Sequence, residues 1–274
     1  MKLRKLLSSI FIVGLISISS ACTSNKLVVY TEVGFAPFEY VKSRRIVGVD
    51  IDIMNQVAEK MGKKLYVENV SFDTIIDTVK EGKLTYIGAA GLSITDERLE
   101  KVDFSIPYYQ ANLYVIYNVN NIGDDFYKVM SDGNTGVYWS SLNSKKGVGV
   151  QTGTTADLFL SDEVKEGGSL EGVKKTGYSL LDTAVMDIGL NIDYLIIDEL
   201  PAKKIVEGKE ELACLPLYYE GSDERAYDEY AIAVTKGQTE ILNAINEVLT
   251  SLLVEDENGI TTIQKMVNEH LGIE

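Results

Sequence analysis

One histidine in 274 residues, His270, leaves no material for a His-based catalytic triad or a multi-histidine metal site. The familiar hydrolytic chemistries are thereby largely excluded, and neither a metal nor a cofactor is expected. Two cysteines do not make an internal disulfide framework. Cys22 ends an N-terminal apolar run, and Cys214, inside Leu-Ala-Cys-Leu-Pro-Leu, reads as a small buried hydrophobe rather than a nucleophile. Positive charge is also short, with 26 Lys+Arg against 41 Asp+Glu and a net charge of −15. Such a field repels nucleic acid and anionic lipid, so nucleic acid is not an expected partner. No tandem repeat and no low-complexity tract is present.

The first 21 residues read as an export signal. Lys2, Arg4 and Lys5 form a positive start, and Leu6 to Ile18 is an apolar stretch too short for a comfortable membrane span. Ser19-Ser20-Ala21-Cys22 resembles a lipobox, although Ser19 stands where Leu is more usual. That resemblance implies cleavage after Ala21, lipidation of Cys22 and anchoring to the outer face of the cell membrane, which is periplasmic if the source is Gram-negative. The alternative is an ordinary cleaved secretory signal with Cys22 incidental. Both readings export the protein. Without residues 1–21 the chain carries 23 Lys+Arg against 41 Asp+Glu, a net of −18.

Beyond the signal, strand and helix patterns alternate. Leu27 to Thr31 is β-rich, and a loop with Phe35 and Phe38 around Ala36-Pro37 follows. A turn is expected at Arg45 to Gly48. Ile53, Met54, Val57, Ala58 and Met61 then share one helical face over 51–61, stopped by Gly62. Leu65 to Val70 is a strand, and Ser71 can cap a helix whose Phe72, Ile75, Ile76 and Val79 line one side. A strand from Leu84 to Ala90 leads into Gly91-Leu-Ser-Ile-Thr-Asp-Glu-Arg98, where Thr95 can cap a third helix. After the apolar run Leu113 to Tyr117, residues 118–144 loosen into a connection with a short helix expected around Phe126 to Met130. A second series begins at Lys146: a strand to Val150, a turn at 152–155, and a helix from Thr155. A helix capped by Ser179, the strand Ile192 to Ile197 and a helix over 200–206 come next. Strands at 212–217 and 230–234 and two terminal helices around Gly259 complete it. The spacing predicts α/β lobes, each a mainly parallel sheet flanked by helices.

In open α/β sheets, ligands bind where strands end and helix N-termini point outward. Four such points stand out: Glu32 to Phe38, Gly91 to Arg98, Gln151 to Thr155, and Asp198. Arg98 sits in the first turn of its helix, which the helix dipole disfavours for a cation. Read locally it pairs with Glu97 or Asp103. Read with its surroundings, Arg98, exposed backbone N–H groups and Ser93 form a cradle for a small carboxylate. Gly153, Thr154 and Thr155 are either a second anion seat or a capped turn. Asp198, on local grounds, is an N-cap for the helix that follows.

The motifs taken together resemble solute-binding family 3, the periplasmic or lipoprotein solute-binding proteins that deliver polar amino acids to ABC importers. The resemblance rests on Pro37-Phe38-Glu39-Tyr40 with Val47-Gly48-Val49-Asp50-Ile51-Asp52-Ile53, on Gly91 to Arg98 with Val102 to Tyr109, and on Val148 to Thr155. Ile192 to Asp198 and Tyr230 to Lys236 complete it. It covers nearly all of residues 27–271, in order. It implies the two-lobed type II periplasmic-binding fold with two hinge strands, residues 27–112 and 233–274 forming one lobe and 113–232 the other. It implies that Arg98 clamps a ligand α-carboxylate with Ser93 and N–H groups near Thr154 and Thr155. Asp198 and the Gly91 carbonyl then receive the α-ammonium, Phe35 and Phe72 stack beside the side chain, and Glu32 and Gln151 face its far end. A zwitterion needs an opposite charge at each end, since burying either one unpaired costs several kcal/mol.

The expected partners are a free amino acid, ABC permease subunits and, through the lipid anchor, the membrane; a monomer is expected. Glu32 at the far wall argues against glutamate or aspartate and permits Lys, Arg, His, Gln or cystine, a polar or cationic side chain being favoured. Thr85, Ala231 and a long segment 123–144 depart from the family pattern, and that segment has room for an extra hairpin or helix. Two rival readings remain. Cyclohexadienyl dehydratases resemble this fold, and Glu32 would have to be their acid; prephenate or arogenate would test that. The other is an extracellular sensor: such a domain would ordinarily continue into a transmembrane helix and signalling domain, neither of which is read before Glu274, which leaves a stand-alone amino-acid sensor signalling through a separate receptor.

Overall fold

The computed structural model describes residues 25–82, 86–123 and 125–273. The export signal expected over residues 1–21, Cys22, Thr85 and the start of the strand expected at Leu84 lie outside these residues. Among the described residues no helix is long and apolar enough to cross a membrane.

Lobe 1 opens with β1 (Lys26–Thr31), a hairpin of β2 (Tyr40–Lys42) and β3 (Arg45–Val47), and α1 (Val49–Lys60). The turn expected at Arg45 to Gly48 lies two residues earlier, at Ser43 and Arg44, both with positive φ; Arg45–Val47 pairs with Tyr40–Lys42 instead. β4 (Lys64–Asn69), α2 (Phe72–Glu81), β5 (Tyr86–Gly88), α3 (Asp96–Lys101) and β6 (Val102–Phe104) follow. Helix α1 buries Ile53, Met54, Val57 and Ala58, the stripe its spacing predicts, and the three larger side chains each contribute roughly 1.5–3 kcal/mol when fully buried. Helix α2 buries Ile75, Ile76 and Val79 against the other face of the sheet. Ser71 occupies its N-cap position, but its hydroxyl donates to Asp73 rather than capping.

The chain then leaves through β7 (Tyr109–Asn118). In lobe 2 come β8 (Lys128–Val129), β9 (Thr135–Tyr138) and a 3₁₀ turn (Trp139–Leu142). The helix expected around Phe126 to Met130 is thus a β hairpin. Phe126 stacks on Tyr194 and meets Tyr117 edge-on, which holds the chain extended so that Lys128 and Val129 pair with Gly136 and Thr135. β10 (Val148–Gln151), α4 (Thr155–Val164), β11 (Lys175–Tyr178), α5 (Leu181–Asp187), β12 (Tyr194–Asp198), α6 (Glu199–Val206) and β13 (Leu212–Tyr218) build the rest. Ser179 does not cap α5, whose N-cap position is Leu180 with no side-chain bond. β14 (Tyr227–Tyr230) and β15 (Ala233–Thr235) return to lobe 1, where α7 (Thr239–Leu252) and α8 (Thr262–Leu271) pack on α1.

The sheets run β4-β1-β5-β15-β6 and β11-β10-β12-β7-β13-β9-β8. Their parallel parts, β4-β1-β5 and β11-β10-β12, are the βαβ units legible in the sequence. The strands that cross between lobes and return add antiparallel neighbours: β7 pairs with β12, β13 and β14, and β15 with β5 and β6. Both sheets are therefore mixed. The N-terminal half of β7 and all of β14 form the two-stranded link, with Tyr109 opposite Tyr230. Each sheet has a core on both faces, so each lobe carries its own hydrophobic support.

Candidate functional site

Where β1, β5, β10 and β12 end, a cavity lies between the two lobes. Its wall is formed by Glu32, Phe35, Phe72, Gly91, Ser93, Gln151, Thr154, Thr155 and Asp198, together with Glu39. Nine of the ten ligand-site residues expected from the sequence thus meet around one space. The tenth, Arg98, lies behind Ser93.

Helix α3 sets Arg98 in place. Thr95 accepts a hydrogen bond from the Arg98 N–H, the N-cap geometry its position predicts. The guanidinium folds back so that Nη1 donates to the Ser93 carbonyl at 2.6 Å and Nη2 donates to the Gly153 carbonyl of lobe 2 at 2.8 Å. Its carbon lies 5.6 Å from the centre of the Phe72 ring. The surface ion-pair alternative does not hold: Glu97 engages Lys101, and Asp103 accepts from the Gly237 N–H. Arg98 is only 7% exposed, and burial lowers its pKa while Asp228 and Glu97 act the other way. It remains a buried guanidinium held by two carbonyls, so donor capacity is left for an anion.

Around it lie the other groups suited to a carboxylate. Thr154 is the N-cap of α4, and its hydroxyl accepts from the Asp157 N–H. Thr155 is the first helical residue, a position whose N–H has no acceptor within the helix. The Thr155 hydroxyl donates to Asp228 and lies 3.3 Å from the Ser93 hydroxyl. The Gly153 N–H is taken by Asp157 at 3.0 Å, which removes it from the anion seat.

Gly91 turns the chain under the cavity with φ of 54°. A Cβ there would stand 3.0 Å from the Phe35 ring and 3.3 Å from that of Tyr230, so glycine is required. Its N–H donates to Asp50 at 3.0 Å, and the Tyr108 hydroxyl also donates to Asp50. Burial pushes the Asp50 carboxyl up to about 6 against those two bonds.

The opposite end is acidic. Asp198 occupies the N-cap position of α6, yet its side chain makes no capping bond, and its buried Oδ1 has no hydrogen-bond partner. Burial raises its pKa to about 8, Asp228 adds repulsion, and the nearby Tyr230 hydroxyl works the other way. Glu32 Oε1 accepts from the Phe72 N–H at 3.3 Å, and Oε2 accepts from the Gln151 amide across the cleft. Burial still leaves the Glu32 carboxyl raised. Among the described residues no three of His, Cys, Asp and Glu come together as a metal-binding group.

Two residues were not singled out for the site by sequence reasoning. Glu39 stands inside the Pro37-Phe38-Glu39-Tyr40 motif and reads there as part of a loop. Its backbone exchanges hydrogen bonds with Phe35, which brings it to the cavity wall, 1% exposed. Asp228 hides in the acidic run Asp223 to Glu229. The available signal was alternation, because Asp228 and Tyr230 point inward while Tyr227 and Glu229 are exposed. Ala231, a departure from the family pattern, fits fully buried with its N–H on the Leu92 carbonyl. Away from the site, burial raises the Cys214 thiol to about 11, which suits an inert packing residue. His270 bridges Asp52 and Tyr40 at 2.8 and 3.1 Å, tying α8 to α1 and the hairpin.

Comparison with known proteins agrees with this architecture. Residues 27–265 match the model of the bacterial extracellular solute-binding proteins, family 3. A probable histidine-binding protein of Campylobacter jejuni is 28% identical over 231 residues, covering 84% of this chain and 80% of its own. The arginine-binding extracellular protein ArtP of Bacillus subtilis is 25% identical, covering 88% and 85%. Among solved structures, the amino-acid ABC transporter substrate-binding protein AbpA of Streptococcus pneumoniae, bound to L-arginine, superposes with a TM-score of 0.74. It is 28% identical, covering 90% of this chain and 95% of its own. Its fold and those of its relatives are type II periplasmic binding folds, as expected here. These relatives are binding proteins, and the dehydratase alternative finds no support among them. With the family model matched across both lobes, the chain belongs to the bacterial extracellular solute-binding proteins, family 3.

Proposed function

We propose that this protein captures an amino acid with a cationic side chain outside the cytoplasmic membrane and hands it to the permease of an ABC importer. One observation carries the reading: the cavity wall holds the carboxyls of Glu32, Glu39 and Asp198, while the one buried guanidinium among the described residues, Arg98, is bonded to the carbonyl of Ser93 on that wall. The α-carboxylate is assigned to Arg98, Ser93 and the start of α4. The α-ammonium is assigned to Asp198 and the Gly91 carbonyl, with the side chain between Phe35 and Phe72 and its end toward Glu32 and Gln151. An acidic side chain would meet carboxyls there. The arginine- and histidine-binding names of the relatives support the same class of ligand.

Residues 27–112 with 233–274, and residues 113–232, are proposed to close on the ligand as two bodies. Each holds part of the site, so neither alone satisfies both ligand charges. Export with lipidation at Cys22 would keep this protein, as a monomer, at the membrane surface beside its permease. A thermal-shift panel of the common amino acids tests the function. Ligand at a hundred times its dissociation constant should stabilise the protein by about 2.7 kcal/mol, so arginine or lysine should raise Tm measurably. The reading fails if no amino acid does so.

A further inference from the structure

Asp228 has no part in the assignments above, yet it holds groups that they use. It lies on β14, the strand that returns to lobe 1, points inward and is 8% exposed. Its carboxylate accepts from the hydroxyl of Thr155, the first residue of α4 in lobe 2. That hydroxyl lies 3.3 Å from the Ser93 hydroxyl of lobe 1, and both residues line the ligand cavity. A carboxylate only accepts, so the Thr155 proton points to Asp228 and Ser93 is the donor between the two hydroxyls. The backbone fixes this arrangement: Ser93 bridges to Tyr230, and the Ile94 N–H donates to the Glu229 carbonyl at 3.4 Å. Arg98, its Nη1 and Nη2 on the Ser93 and Gly153 carbonyls, lies close enough for its charge and that of Asp228 to act on each other. Burial works to raise the Asp228 carboxyl, while Thr155, Arg98 and Ser93 work the other way.

A ligand carboxylate seated on Arg98, Ser93 and the start of α4 needs the same hydroxyl protons and the same guanidinium. Resting on the reading of an amino-acid ligand, we infer that Asp228 stands in for the ligand α-carboxylate and competes with it for Thr155 and Ser93. The ligand draws at least one hydroxyl away from Asp228, and its carboxylate then lies beside a second carboxylate. Asp228 therefore weakens the hold on the ligand and speeds its departure, which suits a protein that must surrender what it captures. It acts through Thr155 and Ser93 rather than by touching the ligand, and is a positioning residue of the carboxylate seat. Its place on β14, between a lobe 1 loop and a lobe 2 helix, puts this competition at the joint between the lobes.

The test is calorimetric titration and stopped-flow dissociation of L-arginine with the wild type, Asp228→Asn and Asp228→Ser. Two carboxylates sharing one hydroxyl lie about 5 Å apart, where unit charges even in bulk water repel enough to change affinity about fourfold. Each folded variant should therefore bind L-arginine at least about fourfold more tightly, chiefly through slower dissociation. The sign is diagnostic. L-arginine is cationic overall, so general loss of a negative charge nearby would weaken it. Loss of a mere fastening between α4 and lobe 1 would weaken it too. Thr155→Val gives a second readout: it should cost more affinity in the Asp228→Asn background, where the hydroxyl is released to the ligand, than in the wild type. Weaker or unchanged binding by the folded variants overturns the inference, as does an equal Thr155→Val cost in both backgrounds. Failure of every amino acid to bind the wild type would instead remove the functional reading, and this inference with it.

Discussion

The two ends of the cleft solve the same problem differently. At the Arg98 end there is one cation, and its guanidinium already rests on two carbonyls, one from each lobe. At the acidic end there are three carboxyls, and Asp198 Oδ1 and Glu39 Oε2 are buried without a hydrogen-bond partner, although the Tyr230 hydroxyl lies near Asp198. The first end has its polar groups bonded within the protein; the second has carboxyl oxygens that the protein leaves unbonded. A lone cation has no substitute, whereas clustered acids can share a load and a proton.

The sharpest way to break this contrast is Arg98→Ala, which leaves the ligand carboxylate without a charge partner. Loss of one member of a buried ion pair typically costs about 3–5 kcal/mol, so binding measured by titration should fall by at least a hundredfold. A loss no larger than that of Glu32→Gln would erase the difference between the ends. Glu32→Gln itself should cost less, about 1–2 kcal/mol for arginine, because other carboxyls remain and the Gln151 contact can persist.

A third test concerns pH in the empty protein. A carboxyl whose folded pKa is raised favours the folded state only while protonated, so its stabilisation is lost as pH rises from the ordinary carboxylate range toward the folded value. Asp198, pushed up to about 8, should therefore make the ligand-free protein less stable between pH 5 and about 8, and Asp198→Asn should flatten that slope. An unchanged slope in thermal melts of the variant would show that Asp198 does not carry the burden of the acidic end. Phe72→Ala, which removes a ring between the two ends, should cost roughly 1 kcal/mol of affinity. Cys22→Ser should move the full-length protein from the membrane fraction to the soluble exported fraction with no change in affinity; retention at the membrane would refute lipid anchoring at that residue.

The same contrast explains what was legible in the sequence. Helix faces were, because the 3.6-residue spacing of Ile53, Met54, Val57 and Ala58 follows directly from burial on one side. Arg98 and Asp198 were legible as strand-end charges, although each had a local reading as a surface ion pair or an N-cap that only tertiary contacts could dismiss. Glu39 was obscured because aromatic neighbours made it look like part of a packed loop, and the Phe35 backbone pairing that aims it has no sequence signature. Asp228 was lost among exposed acids of a run that resembles solvated surface. The misread helix at Phe126 to Met130 had the same cause: its aromatic spacing serves contacts with Tyr117 and Tyr194, which lie far along the chain.

A crystal structure of the protein with L-arginine tests the central claim most directly. The account predicts the α-carboxylate on Arg98, the α-ammonium on Asp198, and the guanidinium between Phe35 and Phe72 reaching Glu32. A ligand bound the other way round, or outside this cavity, would contradict it.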